Sequence, residues 1–337
     1  MSDDSAPQPS GARFPHLWPI FHLVGPEGFE FHRSGWQYAM AALKPLLGGE
    51  EFLLDTFIES TFCWHLKENE TAGVIPYRRP WVGFLHNPAG IPAWHEYNSS
   101  PQFIFTLPAW RESQANCRGL FTFSRTMAAW LAAHVQAPAA ALIHPTETPK
   151  QCFDLDLFLS QPRIVQVGSW LRRLSSIALL PVKQLQKVCV IPRPDGARFL
   201  RTLVEREEAH NPAARGADWT TVEIVEYLTP AEFDHMLAAS VVFLDLYDTV
   251  TNNAVIECIV RNTPVLCNRL PGLVELLGED YPFYFATLEE AAGKAEKTSL
   301  LEAAVTHLKR IPKDVFTQTH FLRSFVGSEI YRNLLKG

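Results

Sequence analysis

Long apolar runs are the first thing this sequence lacks. No stretch reaches the ~18 residues that a bilayer-crossing helix needs, so no transmembrane segment is expected. A charge excess is also missing: 30 basic against 36 acidic residues leave a formal charge of −6, with the signs interspersed. The pairs Arg78-Arg79 and Arg172-Arg173 are too short to form a patch, so nucleic acid is not an expected partner. Cysteine is sparse, with six residues at 63, 117, 152, 189, 258 and 267 and no C-x-x-C pairing. Several sit in apolar runs, as buried reduced thiols do, which points to the cytoplasm and leaves peripheral membrane contact open. G-x-G-x-x-G, P-loop, G-x-S-x-G and H-E-x-x-H motifs are absent, as is any Cys/His quartet. That removes the usual signals for NAD binding, P-loop phosphate binding, serine hydrolysis and zinc. No repeat of fixed period is visible.

What is present is enough hydrophobic sequence, 47% of 337 residues, for two ordinary domains. Residues 1–13 are Ser, Asp, Pro and Gly-rich, lack a signal-peptide core and are expected to be disordered. Strand-like runs then alternate with helical ones: 18–24, 51–57, 81–85, 119–123 and 139–143 as strands, with helices at 36–47, 110–118 and 125–134. Ser124 supplies the cap of the last helix. This alternation predicts a Rossmann-like first domain over 14–150. Residues 151–161 read as a linker. A second α/β domain follows over 162–313, opening with the strand 163–167. Its further strands fall at 188–191 and 221–225, and helices at 195–210 and 230–239.

The stretch 238–285 organises the second half. Val241-Val242-Phe243-Leu244 is an unbroken apolar run, as in a strand buried on both faces. A polar turn, 248–253, leads into a helix over 254–261, which Asn262-Thr263-Pro264 stops. A short strand, 265–267, and a turn at Pro271-Gly272 precede the next helix. In an open α/β sheet ligands bind at the carboxyl ends of strands. Asp248, Thr249, Asn252, Asn253, Arg269 and Glu275 all fall there. Amides at the start of the 254–261 helix favour an anion such as phosphate.

IECIVRNTPVL and PGLVE resemble the donor-binding core of retaining GT-B glycosyltransferases, the glycogen-synthase-like and sucrose-synthase-like group. RIVQVGSWLRRLSSI is similar to the first strand and loop of that family's nucleotide-binding domain, and GLFTFSRTMAAWL to the end of its acceptor-side domain. The resemblance implies two Rossmann-like domains facing a cleft, with the C-terminal segment 314–337 crossing back as a helix onto the first domain. It implies transfer of a sugar from a nucleotide-diphosphate sugar, with retention, without a metal or other cofactor, to an acceptor the sequence does not identify. The family's ribose-binding Glu falls on Glu257. Its sugar-binding Glu falls on Thr249, beside Asp248, which is a departure from the pattern.

The candidate residues follow. Arg172 or Arg173, after the Gly168 turn, would clamp the diphosphate, because a metal-free site needs fixed positive charge there. The alternative is a pair of surface arginines. Glu257 would hold ribose, against a structural ion pair. Asp248 or Thr249 would contact the sugar. Asn252 and Asn253 would present amides or simply cap the helix. Glu275 is a further donor contact, or pairs with Arg269. His86, at the end of the 81–85 strand, would meet the sugar or the acceptor hydroxyl, against a purely structural histidine. The aromatics of 94–110 would stack on a sugar or pack on themselves. Asp154-Leu155-Asp156 imitates the metal-binding Asp-x-Asp of other glycosyltransferases but lies in the linker, so no metal is expected. A catalytically silent GT-B module that binds a glycan or a protein is the rival reading.

Overall fold

The computed structural model describes residues 17–27 and 35–336; the expectation for 1–13 lies outside them. The chain forms parallel sheets in two domains. The first has β1 (Phe21–Val24), β2 (Phe52–Asp55), β3 (Trp81–Phe84), β4 (Cys117–Thr122) and β5 (Ala139–Ala141) in that spatial order. The second contains β6 (Arg163–Val167), β7 (Gln186–Val190), β8 (Val222–Val225), β9 (Val241–Leu244), β10 (Val265–Asn268) and β11 (Tyr284–Phe285), in the order β11-β10-β9-β6-β7-β8. Each of the four residues of β9 is buried, as a strand covered on both faces requires.

Both sheets contain a reversal of direction, and the reversals place the site. In the first, Leu47 pairs with Phe21 on the flank of β1 away from β2. Phe21 O accepts from Gly48 N, while Val24 O accepts from Thr56 N on the other side. The chain therefore leaves β1 one way and returns to build β2 to β5 the other way. Helix Trp36–Leu43 accordingly shares a face with Phe84, while Phe62 and Trp110 pack against Trp81 on the opposite face. In the second sheet β6, β7 and β8 run outward, and β9 comes back to pair with β6. The crevice of a doubly wound sheet opens at such a switch, outside the carboxyl ends of the strands. Here that is the exit of β6 and β9.

The linker is more ordered than the sequence suggests. Phe153 N and Asp154 N donate to Arg261 O and Ala238 O, both at 2.9 Å. Asp154 Oδ1 then caps the Leu155–Ser160 helix through Leu157 N at 3.0 Å. The Asp-x-Asp pair is thus a helix cap and its first turn. The region after Phe57, which has no clear period in sequence, is helical through Ser60–Trp64 and Leu66–Thr71. The expected 110–118 helix is Pro108–Gln114, because Cys117 already belongs to β4.

The C-terminal helices Gln318–Val326 and Glu329–Leu334 close the open face of the first sheet. Phe325 meets Phe21, Phe84 and Phe121 at centroid distances of 5.9, 6.0 and 4.6 Å. Gly119 permits the approach: a Cβ there would lie 2.5 Å from Ile330 Cγ2. Phe325→Ala should destabilise the protein by about 3–5 kcal/mol, since a fully enclosed ring is lost. Denaturant unfolding checks this; a loss below about 1 kcal/mol would show that the crossing contributes no core.

Candidate functional site

The exit of β6 bends sharply. Gly168 takes φ +76° and lies so near Arg172 that a Cβ would sit 3.3 Å from its Cζ. Arg172 and Leu246 form a β-bridge, which ties this loop to the exit of β9. Arg172 is 9% exposed. Its Nη1 donates to Trp170 O at 2.7 Å and its buried Nε has no partner. Among the described residues no carboxylate lies within ion-pair distance of it. Burial brings its pKa down to about 10, with Cys189 opposing the shift. Arg173 points elsewhere: Nη1 donates to Asp245 Oδ1 at 2.8 Å and Leu246 O at 2.6 Å, and the guanidinium covers the Tyr247 ring at 4.6 Å.

The opposite lip is the β9 exit. Asn252 Oδ1 accepts from Ala254 N at 3.0 Å and Val255 N at 3.4 Å, capping the Asn253–Arg261 helix. Asn253 is exposed at its start. Thr249 turns inward on its own loop, donating to Thr251 O at 2.6 Å. Gly272 of PGLVE lets that loop approach, since a Cβ would lie 2.5 Å from Thr249 O. One turn along, Glu257 is only 7% exposed. It pairs with Arg261 and accepts from Thr146 Oγ1 at 2.9 Å. Arg261, fully buried, also pairs with Asp234 at 2.7 Å.

The first domain supplies the facing wall. His86 follows β3, its ring stacked on Phe57 at 3.8 Å and edge-on to Trp36 at 4.6 Å. Burial holds its pKa down to about 3, despite a bond to Thr56 O, and the nearby His144 adds to the depression. The ring is therefore neutral at pH 7. With Nε2 3.1 Å from Thr56 O, the proton is assigned to Nε2 and Nδ1 is left as an acceptor. Beneath it, Glu59 Oε1 accepts from His86 N at 2.7 Å and Asn87 N at 2.6 Å, while Oε2 is buried without a partner. Burial drives the Glu59 pKa up to about 8, although the amides oppose it. Nearby Asp55 is raised to about 7 by the same cause.

Two carboxylates of the second domain reach amides of the first. Asp248 Oδ2 accepts from Gly90 N at 2.7 Å. Glu275 accepts from Arg125 N, Thr126 N and Thr126 Oγ1 at 2.7, 2.8 and 2.7 Å, at the start of the Arg125–His134 helix. Arg269 pairs with Glu279, not with Glu275. What remains of the crevice is a cavity of about 60 Å³, whose lining includes His86, Trp170, Arg172, Asp248, Thr249 and Asn252. Small-molecule sites run to roughly 300–1,000 Å³, and this cavity falls well below that range. A larger cavity, about 220 Å³, lies beside Gly25, Ser60 and His65 and shares no lining residue with the crevice.

Of the expected residues, His86, Arg172, Asp248, Thr249 and Asn252 thus converge on one cavity. Gly168 shapes it through Arg172. Arg173, Glu257 and Glu275 are engaged by protein partners. The aromatic stretch 94–110 divides: Trp110 is 1% exposed in the core, while Trp94 crosses to the second domain. Trp170, Tyr247 and Glu59 were not singled out by sequence. The first two stand three residues beyond the ends of β6 and β9, and that matched placement is the signal that points to them.

Two facing Rossmann-like domains with a C-terminal crossing define the GT-B fold of glycosyltransferases. Among solved structures, the chain is similar to the sucrose-phosphate synthase of Thermosynechococcus elongatus, with TM-score 0.58, 16% identity, and 85% of this chain covering 74% of that one. It is similar to Anabaena HepE in complex with UDP and glucose, with TM-score 0.57, 13% identity, and coverage of 86% and 79%. It is also similar to the UDP-forming α,α-trehalose-phosphate synthase of Burkholderia xenovorans, with TM-score 0.54, 14% identity, and coverage of 91% and 81%. No protein-family model and no curated protein matches the sequence.

A neutral Glu59 makes a pH prediction. Its folded pKa, raised to about 8, stands above the unfolded carboxylate value of about 4.3. The stability it contributes is therefore full below about pH 4.3 and declines as pH rises toward 8. Glu59→Gln should remove this part of the decline, on the order of 2–4 kcal/mol, leaving the Asp55 part. Denaturant midpoints between pH 4 and 8 check this; parallel curves for the two proteins would contradict it.

Proposed function

We propose that this chain is a retaining, metal-independent glycosyltransferase that takes a sugar from a nucleotide-diphosphate donor. The observation that carries the proposal is Arg172, a buried guanidinium at the crevice wall with no carboxylate within ion-pair distance among the described residues. A charge removed from water is costly unless an anion or a set of acceptors meets it. A diphosphate lying between Arg172 and the amides that open the Asn253–Arg261 helix would meet it. The same groups would then stabilise the negative charge that grows on the departing diphosphate. Gly168 leaves room for that contact, and Asn252 holds the helix start in place while Asn253 lies open.

On the other wall, His86 is neutral, and its Nδ1 is suited to accept from a sugar or acceptor hydroxyl. Asp248, on the crevice lip, would do the same for the donor sugar if Gly90 releases it, with Thr249 beside it. Glu257 would reach the ribose hydroxyls with lone pairs that Thr146 and Arg261 leave unused. Arg173 fixes the β6 and β9 exits, and Glu275 closes the domains. The neighbours include UDP-forming synthases and a complex with UDP and glucose, so a uridine diphosphate sugar is the donor to try first. The six cysteines are free thiols, four of them buried, consistent with a cytoplasmic enzyme.

One set of observations favours the rival reading, a GT-B module that binds without turnover. Thr249 stands at the sugar position with its hydroxyl already donated, and Glu257 is held by Arg261 and Thr146.

Calorimetry with UDP, GDP and ADP, followed by incubation with their sugar derivatives, separates these outcomes. The transferase reading predicts binding of one diphosphate and release of free nucleotide from its sugar. Binding without release supports the silent module. Arg172→Ala should weaken that binding at least tenfold with little loss of stability, since among the described residues its guanidinium makes a single hydrogen bond. Arg173→Ala should mainly lower stability, because two bonds and a ring contact go. The reverse pattern would move the diphosphate role to Arg173.

A further inference from the structure

The exits of β6 and β9 carry aromatic rings, Trp170 and Tyr247, and a side chain of the other domain is already docked beside them. Trp94 lies nearly parallel to His210, with centroids 5.4 Å apart and planes at 11°. It meets Tyr247 edge-on, also at 5.4 Å, with planes at 86°. The next residue, His95, stands edge-on to Trp170 at 4.9 Å. On the second domain the platform is rigid. Tyr247 OH donates to Glu207 Oε1 at 2.8 Å, and Arg173 covers the Tyr247 ring. The incoming loop is held less firmly. Its polar tie to the second domain is the bond from Gly90 N to Asp248 Oδ2. Trp94 is only partly buried and His210 is exposed.

Aromatic rings make offset and edge contacts with any planar ring of similar size. A nucleobase offers the same faces as the Trp94 indole. A base joined to a diphosphate also brings the anion that Arg172 lacks, which Trp94 cannot supply. We propose that the 88–97 loop is a competitive plug. Trp94 occupies a ring site between His210 and Tyr247, and a ligand bearing a planar heteroaromatic base enters the crevice by displacing it. The base half of this proposal rests on the donor reading above; the plug half does not.

Because the loop is seated in most molecules, the dissociation constant is divided by the fraction in which it is withdrawn, so unseating it tightens binding by up to the inverse of that fraction. Two variants of the full chain unseat it from different ends. Trp94→Ala removes the ring. Gly90→Ala places a Cβ 2.4 Å from Asp248 Oδ2 and forces the tie apart without touching the platform.

Hydrogen exchange at residues 245–253 and calorimetric affinity for UDP, GDP and ADP are measured on both variants and the parent. Faster exchange in both variants is expected, with roughly tenfold tighter binding of whichever diphosphate the parent takes. Unchanged exchange in both variants overturns the proposal. So does unchanged or weaker affinity after loss of Trp94, since the indole would then be part of the ligand's site and not its rival. Faster exchange with no diphosphate bound by any form upholds the plug and refutes the donor reading instead.

Discussion

A guanidinium without a counter-charge is the constraint on which the rest of this structure depends. Arg172 sits where β6 ends, enclosed by its own loop, and its polar partner is a single carbonyl. Elsewhere the chain neutralises its buried arginine fully: Arg261 has both Glu257 and Asp234. The contrast is informative because the same domain supplies both environments. One arginine has its charge met by carboxylates of the protein. The other leaves a positive site facing a capped helix start across a narrow crevice, an arrangement suited to an anion.

The interface between the domains can be viewed as a set of exchangeable contacts. Asp248 and Glu275 accept amide protons from the first domain, and Thr146 from the inter-domain segment bonds Glu257. Of these carboxylates Asp248 lines the crevice, so parting the domains would free an acceptor there. Replacing one hydrogen bond by another changes the free energy little, whereas leaving a buried acceptor empty costs about 1–3 kcal/mol. Under the proposed function, closing over nothing and closing over a ligand would then be nearly balanced. Glu59 supports this from below, holding the amides of His86 and Asn87 with a carboxyl kept neutral by burial.

Much of the fold was legible in the sequence, for a physical reason. Strands covered on both faces are mostly apolar, so Val241 to Leu244 stood out, and Asn262-Thr263-Pro264 and Pro271-Gly272 marked the breaks between elements. The region from Ile58 to Thr71 did not stand out, since Phe62 is buried while Trp64 and Lys67 face water, with no clean period. At the site, residue type and approximate place were legible, but partners were not. Arg172 and Arg173 are neighbours of identical chemistry. Only the turn at Gly168 and the position of Asp245 send one to the crevice wall and the other to a structural pair. Glu257 likewise could not be assigned from sequence, because Thr146 lies 111 residues away. Trp94 was visible as part of an aromatic cluster, yet its partners His210 and Tyr247 belong to the other domain.

The most direct test of the account is a crystal structure of the protein grown with uridine diphosphate at saturating concentration. The account predicts the diphosphate between the Arg172 guanidinium and the amides of residues 252 and 253, with Arg172 turned from Trp170 O to the phosphate oxygens. A nucleotide bound elsewhere, or an empty crevice with Arg172 still on Trp170 O, would contradict it.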